Sequence, residues 1–361
     1  MHVMFLYAST GSGHLKAAEY VREALFRKNR NIRVSMADVL NLCNFPIESF
    51  VLKAFRFLVS RCPNTYRFLY RITENTAFFN YVAGWFFSRS IVVLKEKCLS
   101  TDIQSIVCTH PFALLFASRL KKELGDKSPL VMGIVTDYQI HRFWLYSQID
   151  LYFVPNEEMR KKLLNLGWCA DKVKVTGIPC PIDIKNAINT HEILKPFWLI
   201  AGGGWGLGNL ENTARSLLKK YKNCNIMVIT GENRLLFSRL RVLQKQNPDR
   251  LIVKGTIPHL YDEMKNALAV LTKPGGLTVT EAMILKKPLI LLKPLPGAEE
   301  KNLKYLVDQG AAVSYRSFQR KPEVIGCWQQ LYSKQQIRTA QTDSSQRIAG
   351  WIMQVMGAVD Y

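Results

Sequence analysis

Short apolar runs rich in β-branched residues alternate along the chain with stretches of helical periodicity. His2–Ala8 reads as a strand, and Leu15–Arg27 follows as a helix with Leu15, Ala18, Val21 and Leu25 on one face. Ile32–Ala37, Gln104–Thr109, Leu130–Thr136 and Lys172–Thr176 continue the series. After Pro179 and Pro181 the polar stretch Ile182–Lys195 reads as a linker. Strands then resume at Phe197–Ala201, Asn225–Ile229, Leu251–Val253, Ala269–Leu271 and Pro288–Leu292, with helical segments between them. Strands alternating with helices predict parallel sheets covered on both faces. Two such series predict two Rossmann-like α/β domains.

One segment breaks the rhythm. Between Phe45 and Leu94 lie Phe50, Phe55, Phe57, Phe68, Phe78, Phe79, Trp85, Phe86 and Phe87. Lys53, Arg56, Arg61, Arg67, Arg71 and Arg89 are interleaved, against only Glu48 and Glu74. Rings and cations at helical spacing suit a helix lying in an anionic membrane interface. They suit equally a helical insertion that packs its rings into a core and leaves its arginines in water. The excess of positive charge favours the membrane. Aromatics and arginines also stack nucleic-acid bases, but no nucleic-acid module accompanies them, and no nucleic-acid partner is expected.

Composition sharpens this picture. The chain has 361 residues, 48% of them apolar and 21% charged, the balance of a folded protein with a substantial core. Lys and Arg number 49 against 28 Asp and Glu, a net charge of +21. Such a surface attracts polyanions: phosphates, nucleic acid or anionic lipid headgroups. No run of 18 apolar residues is available for an ordinary transmembrane helix. Val3–Ala8 is too short and uncharged at its start for a signal peptide, and reads as a buried strand. The eight cysteines form no Cys-x-x-Cys pair or zinc-type cluster, which predicts reduced thiols in a cytosolic protein.

Four segments carry candidate chemistry. Ser9-Thr10-Gly11-Ser12-Gly13-His14 lies between the first strand and helix, where glycines admit a ligand to the backbone and helix amides face it. It lacks the third glycine of a dinucleotide fingerprint and the Gly-Lys-Ser/Thr of a Walker loop. His14 is read either as a hydrogen-bonding residue at the helix start or as a catalytic base. Val135-Thr136-Asp137 closes a strand, with His141 and Trp144 beyond it, and Thr109-His110-Pro111 closes another. Polar groups at the carboxyl ends of parallel strands face the crevice where such sheets bind ligands. Ala201-Gly202-Gly203-Gly204-Trp205-Gly206-Leu207-Gly208 follows the first strand of the second series and suits a phosphate. Finally, Thr272-Lys273-Pro274-Gly275-Gly276-Leu277-Thr278-Val279-Thr280-Glu281 reads as strand, Gly-Gly turn and helix. Its amides suit a diphosphate and Glu281 a ribose. The acidic pair Glu299 and Glu300, with Asn302, suits sugar hydroxyls, or else Glu299 and Glu300 simply begin a helix.

These residues together resemble the monogalactosyldiacylglycerol synthase and processive diacylglycerol glycosyltransferase family. More distantly, they resemble the enzyme that adds N-acetylglucosamine to the lipid-linked peptidoglycan precursor. The resemblance rests on Gly-Ser-Gly-His at 11–14, Thr-Asp…His…Trp at 136–144, Phe-Val-Pro-Asn-Glu-Glu at 153–158 and Val-Thr-Gly-Ile-Pro at 175–179. Lys-Pro-Gly-Gly-Leu-Thr at 273–278 and Pro-Gly-Ala-Glu-Glu-Lys-Asn at 296–302 complete it, and the block 272–302 is its most specific part. It covers about residues 1–315. Trp205 in the glycine loop and Lys301 in place of glycine depart from the family's usual pattern.

The resemblance implies a GT-B fold, two Rossmann-like domains facing across a cleft. Residues 1–185 would bind the acceptor and the membrane, 190–335 would bind a UDP-sugar, and helices in 338–361 would pack back on the first domain. It implies an inverting transfer of a hexose from a UDP-sugar to diacylglycerol or a related lipid, without metal or other cofactor. Gly275, Gly276 and Thr278 would hold the diphosphate, helped by the loop with Gly203 and Gly204, Lys273 would also meet the donor, Glu281 would hold the ribose, and Glu299, Glu300 and Asn302 the ribose and hexose side. Gly13, Arg56, Arg61, Phe78, Trp85, His141 and Trp144 would meet acceptor and membrane. Either His14 or Asp137 would be the base; an aspartate needs burial to act near neutral pH, whereas histidine titrates there unaided. The expected location is cytoplasmic, peripheral to the membrane's cytoplasmic face. A polyprenyl-linked or soluble acceptor, or a non-catalytic basic membrane-binding protein on the same scaffold, are the alternatives.

Overall fold

A computed structural model of the chain describes residues 1–9, 11–42, 57–58, 62–75, 88–184 and 196–357. The chain divides into two compact units. The first comprises Met1–Thr10, His14–Ile182 and Asp343–Tyr361, and the second Gly11–Gly13 and Asp183–Thr342.

The first unit contains strands β1 (His2–Tyr7), β2 (Arg33–Asp38), β3 (Ser105–Cys108), β4 (Leu130–Ile134), β5 (Leu151–Val154) and β6 (Val173–Val175). They form one parallel sheet in the order β2-β1-β3-β4-β5-β6. Its described helices include α1 (Ser12–Lys28), α2 (Pro63–Asn75), α3 (Ser88–Ser100), α4 (Pro111–Leu124) and α5 (Glu157–Asn165). Strand side chains alternate between the two faces. Val3 and Phe5 of β1 join one apolar cluster with Ala18, Val21 and Leu25 of α1. Met4 and Leu6 join another with Ile91, Leu94 and Cys98 of α3 and Leu114, Ala117 and Leu120 of α4. Burial on both faces explains why β1, β3, β4 and β5 read as nearly continuous apolar runs. Leu151–Val154 is a fully buried strand that the periodicity does not single out.

The second unit contains β7 (Phe197–Ala201), β8 (Asn225–Ile229), β9 (Leu251–Lys254), β10 (Ala267–Thr272), β11 (Leu289–Leu291) and β12 (Val313–Ser314). They too form one parallel sheet, ordered β12-β11-β10-β7-β8-β9. Helices α6 (Leu210–Lys220), α7 (Arg234–Gln246), α8 (Leu260–Asn266), α9 (Gly276–Ile284), α10 (Ala298–Asp308), α11 (Tyr315–Arg320), α12 (Trp328–Leu331) and α13 (Ser333–Ala340) accompany it. Gln336 of α13 braces this unit from inside. Its Nε2 donates to the Lys287 and Ala311 carbonyls at 2.9 and 3.2 Å, and its Oε1 accepts from Trp328 Nε1 at 3.2 Å.

The chain then returns to the first unit. The return begins at Asp343, later than position 338, because α13 packs on α9 of the second unit. Helix α14 (Ser344–Gly357) carries Ile348, Ile352 and Met356 at four-residue spacing, with Ala349 beside them. They lie in the cluster of Val3 and Phe5. Its first turn is pinned: Ser344 Oγ donates to the Ile178 carbonyl at 2.7 Å, and Ser345 Oγ to the Cys180 carbonyl at 2.6 Å.

Because Ile352 is fully buried where α14 meets the first sheet, Ile352→Ala is expected to cost about 2–5 kcal/mol. Urea unfolding of the first unit reads this directly; a loss below about 1 kcal/mol would contradict the packing role.

Candidate functional site

In both sheets the first strand of the series lies inside the sheet, and the chain builds outward on either side of it. Helices following neighbouring strands then depart to opposite faces, and a crevice opens at the carboxyl ends between them. In the first unit that point lies between β1 and β3, in the second between β7 and β10. The candidate residues fall at these two places.

His14 stands in the first turn of α1, half-buried. Its Nδ1 is 2.7 Å from the carbonyl oxygen of Thr109, just past β3. A carbonyl only accepts, so Nδ1 carries the proton and the neutral ring leaves its lone pair on Nε2. The Thr136 hydroxyl, just past β4, lies 3.2 Å from the same Nδ1. Thr109 Oγ1 donates back to the His14 carbonyl at 2.8 Å. The ring is thus held from two strand ends. At Gly13 an added Cβ would meet nothing within 4 Å, so open space adjoins this turn.

Two further histidines show the opposite arrangement. His110 caps α4, its Nδ1 accepting from the Phe112 amide at 3.0 Å. His141 caps the turn 142–144, its Nδ1 accepting from the Phe143 amide at 3.1 Å. Each neutral ring therefore bears its proton on Nε2. The His110 ring meets His14 edge to face, centroids 4.4 Å apart. Burial, and secondarily the neighbouring His14, hold the His110 pKa well below the usual imidazole range. His141 is buried against Tyr70 of α2, ring centroids 4.2 Å apart.

Asp137 is half-buried in the bend after β4, within the same run of loop as Thr136 and His141. Trp144 does not fit an acceptor contact. Its side chain is 1% exposed and belongs to the apolar core, and its carbonyl accepts from Tyr152 OH at 2.5 Å. An indole turned into the core fills volume instead of meeting acceptor or membrane. Arg56, Arg61, Phe78 and Trp85 lie outside the described residues.

In the second unit the glycine loop after β7 closes on itself. The Leu207 amide donates to the Gly202 carbonyl and the Gly206 amide to the Gly203 carbonyl, both at 3.0 Å. Gly203 has φ +69°, and a Cβ there would lie 2.9 Å from Lys273 Cε. The neighbouring Gly204 carbonyl accepts from the Glu232 amide at 2.8 Å, which ties the loop to the turn after β8. Across the switch point, Gly275 caps α9, and a Cβ there would lie 3.3 Å from Lys273 Nζ. The Lys273 ammonium thus sits beside both glycine turns, next to the α9 N-terminus, whose first amides have no partner within the helix. Gly276 is buried in that first turn and Thr278 half-buried. Amides, dipole and ammonium together have the chemistry that suits a diphosphate.

The acidic residues beyond are largely engaged. Glu299 pairs with Lys273 through Oε1 and accepts from the Leu295 amide through Oε2 at 3.0 Å. Glu300 accepts from the Gly297 amide at 3.2 Å, a helix-start contact. Asn302 is fully buried and donates from Nδ2 to the Pro274 carbonyl at 3.1 Å. It therefore braces the Gly-Gly turn from behind instead of facing a sugar. Glu281 is 6% exposed, on the second turn of α9. Among the described residues, no group of three or more His, Cys, Asp or Glu is placed to hold a metal ion. No described helix is long and apolar enough to cross a membrane.

The chain matches the monogalactosyldiacylglycerol (MGDG) synthase family over residues 14–180 and the glycosyltransferase family 28 C-terminal domain over 198–347. It is 30% identical over 328 residues to the processive diacylglycerol beta-glucosyltransferase of Bacillus cereus strain B4264, covering 87% of this chain and 82% of that protein. The protein of the same name from Bacillus cytotoxicus is 29% identical over the same shares. Among solved structures, the S. aureus MnaA–UDP co-structure aligns over 99% of this chain and 97% of its own, with TM-score 0.63 and 15% identity. Acinetobacter baumannii MurG aligns over 98% and 99%, with TM-score 0.58 and 16% identity. These two likenesses are of fold, the GT-B class of paired Rossmann-like units.

The buried, neutral His110 sets a pH dependence. Its folded pKa is depressed, so the unfolded chain binds a proton that the folded chain refuses as pH falls below about 6.5. Stability is therefore full above that value and declines below it, by up to about 1.4 kcal/mol per pH unit, until the folded pKa is reached. His110→Asn keeps a capping acceptor and is expected to flatten that decline. Urea midpoints at about pH 7.5 and 5.5 measure it; an unchanged slope would contradict the assignment.

Proposed function

From the premise that this chain belongs to the monogalactosyldiacylglycerol synthase family, which includes the processive diacylglycerol glucosyltransferases, we propose that it transfers a hexose from a UDP-sugar to diacylglycerol, with inversion. The observation that carries this reading is the pairing of chemistries at the two switch points. One sheet presents a histidine with its lone pair on Nε2, and the other a lysine and helix amides suited to a diphosphate.

In the proposed reaction the first unit takes the lipid and the second the UDP-sugar. The acceptor hydroxyl gives its proton to His14 Nε2 while its oxygen bonds the anomeric carbon. UDP departs from the opposite face with the electron pair of the broken bond. A positioned base of this kind contributes about 10²–10⁴ in rate. The charge arriving on the diphosphate is met by the α9 amides, the helix dipole and Lys273, and this reading calls for no metal. The Nδ1–H bond to Thr109 supports His14 as base over Asp137, because it fixes both the ring and its tautomer. Glu281 would hold the ribose and Thr278 the diphosphate. Asn302 and Glu299 would act by positioning the Gly-Gly turn and Lys273.

The membrane reading has its described support in α2. Phe68 is 64% exposed and Leu69 43%, with Arg71 exposed near them. Rings and cations on one short helix suit the interface of an anionic bilayer. We place the enzyme peripherally on such a surface in this proposal.

Incubation with diacylglycerol micelles and each of UDP-glucose, UDP-galactose, UDP-glucuronate and UDP-N-acetylglucosamine, read by lipid mass, tests the function. One hexosyl-lipid product is expected; silence with every donor despite UDP binding would overturn the acceptor. His14→Ala is expected to lower kcat about 10²–10⁴-fold with donor KM nearly unchanged, and Lys273→Ala to raise donor KM. The reverse pattern would exchange the two assignments. Arg71→Ala is expected to weaken binding to anionic vesicles by about 1 kcal/mol, and unchanged binding would remove α2 from the membrane contact.

A further inference from the structure

The ammonium beside the Gly-Gly turn is engaged by an anion of the chain itself. Lys273 pairs with Glu299 through Oε1, and Glu299 Oε2 accepts from the Leu295 amide at 3.0 Å. The two side chains are 19% and 12% exposed, so salt and water screen the pair little. Glu299 lies in the first turn of α10, 26 residues beyond Lys273. A carboxylate anchored through both oxygens is a fixed charge, placed by the fold.

That charge sits where the phosphates of a ligand would feel it. A Cβ at Gly275, which caps α9, would lie 3.3 Å from Lys273 Nζ and 3.9 Å from Glu299 Oε1. Ammonium and carboxylate thus meet beside the helix start whose amides suit a diphosphate. A diphosphate on those amides would share Lys273 with Glu299 and be repelled by Glu299 itself. The repulsion grows with the charge of the ligand. In a UDP-hexose each phosphate is esterified on both sides and carries a single negative charge. When the bond to the hexose breaks, its electron pair stays on the terminal phosphate oxygen. That group then approaches a charge of about −2 near neutral pH. A fixed carboxylate therefore disfavours UDP more than the UDP-hexose from which it came.

We propose that Glu299 is a positioning residue for product release: by holding Lys273 it keeps the diphosphate site weak toward UDP. The proposal rests on the reading that the chain uses a UDP-sugar. Lys273 is then shared between two anions, one belonging to the chain and one to the ligand. With the carboxylate gone, the whole ammonium would serve the diphosphate, and UDP would leave more slowly. Affinity differences of this kind lie mostly in the dissociation rate.

Isothermal titration of the full chain with UDP and with uridine, at about pH 7.5, tests it in the native sequence and in Glu299→Gln. The substitution removes the charge, keeps the volume and leaves an oxygen for the Leu295 amide. UDP is expected to bind about fivefold or more tightly in Glu299→Gln, and uridine to change by less than about twofold. Damage to the fold would weaken UDP, so a gain in affinity reads the charge and not the structure. Asp308→Asn makes the same charge change at the exposed far end of α10. It is expected to alter UDP binding by less than about twofold. In transfer assays Glu299→Gln is expected to lower the UDP inhibition constant more than the donor KM. Unchanged or weaker UDP binding in Glu299→Gln, or an equal gain with uridine or in Asp308→Asn, would each overturn the proposal. An equal fall in inhibition constant and donor KM would overturn the preference for product over donor. The titration needs neither acceptor nor turnover, so the two readings fail separately. Transfer without tighter UDP overturns this role alone, and tighter UDP without transfer overturns the acceptor alone.

Discussion

Everything functional here depends on one constraint of parallel sheets: a strand that begins in the interior must send its neighbours out on opposite sides. β1 has β2 on one side and β3 on the other, and β7 has β8 and β10. The crossovers leave the strand ends uncovered between them. Backbone amides, carbonyls and the first turns of helices collect there without any special stabilisation beyond the fold. Sequence then decides what each opening can bind. In the first unit it supplies a histidine and two threonines, and in the second glycines and a lysine.

Three histidines at one sheet edge show how a single backbone contact divides labour. His110 and His141 spend Nδ1 as a helix-capping acceptor, and each is buried. His14 instead spends Nδ1 as a donor to a carbonyl and remains half-buried. The same side chain is a structural cap in two places and, in our proposal, a base in the third. The difference lies in which nitrogen the local backbone occupies. The second unit makes a similar economy with its acids. Glu299 and Glu300, which would read equally well as sugar ligands, are engaged by Lys273 and by the start of α10.

Much of this was legible in the sequence, and the misses have physical causes. Ten strands are legible as short apolar or alternating runs, the most buried of them, such as Ser105–Cys108 and Phe197–Ala201, as continuous apolar ones. Val313–Ser314, at two residues, is too short to stand out, and Leu151–Val154 goes unread although Ser105–Cys108 is no longer. Gly-Ser-Gly-His marked His14, but nothing local reveals its partners, which lie 95 and 122 residues away. Trp144 looked like a ligand-facing aromatic because it follows a polar strand end. The loop instead turns it inward onto the core, an outcome set by tertiary packing. Asn302 reads as a sugar ligand because it follows the acidic pair Glu299 and Glu300, and its burial behind Pro274 is a three-dimensional fact. The boundary between units falls at Ile182–Asp183, where the polar stretch begins, and residues 185–195 of that stretch lie outside the described residues.

The tautomer of His14 is the claim from which the proposed base, its orientation and the role of Thr109 all follow. Two-dimensional nitrogen-15 correlation of the imidazoles, in the full-length protein at about pH 7.5 with His14→Gln for assignment, reads it directly. The account predicts a pyrrole-type, protonated Nδ1 and a pyridine-type, bare Nε2 for His14, with the reverse for His110 and His141. A His14 ring protonated on Nε2 instead of Nδ1 would contradict it, because the lone pair would then face the Thr109 carbonyl and no base would be presented.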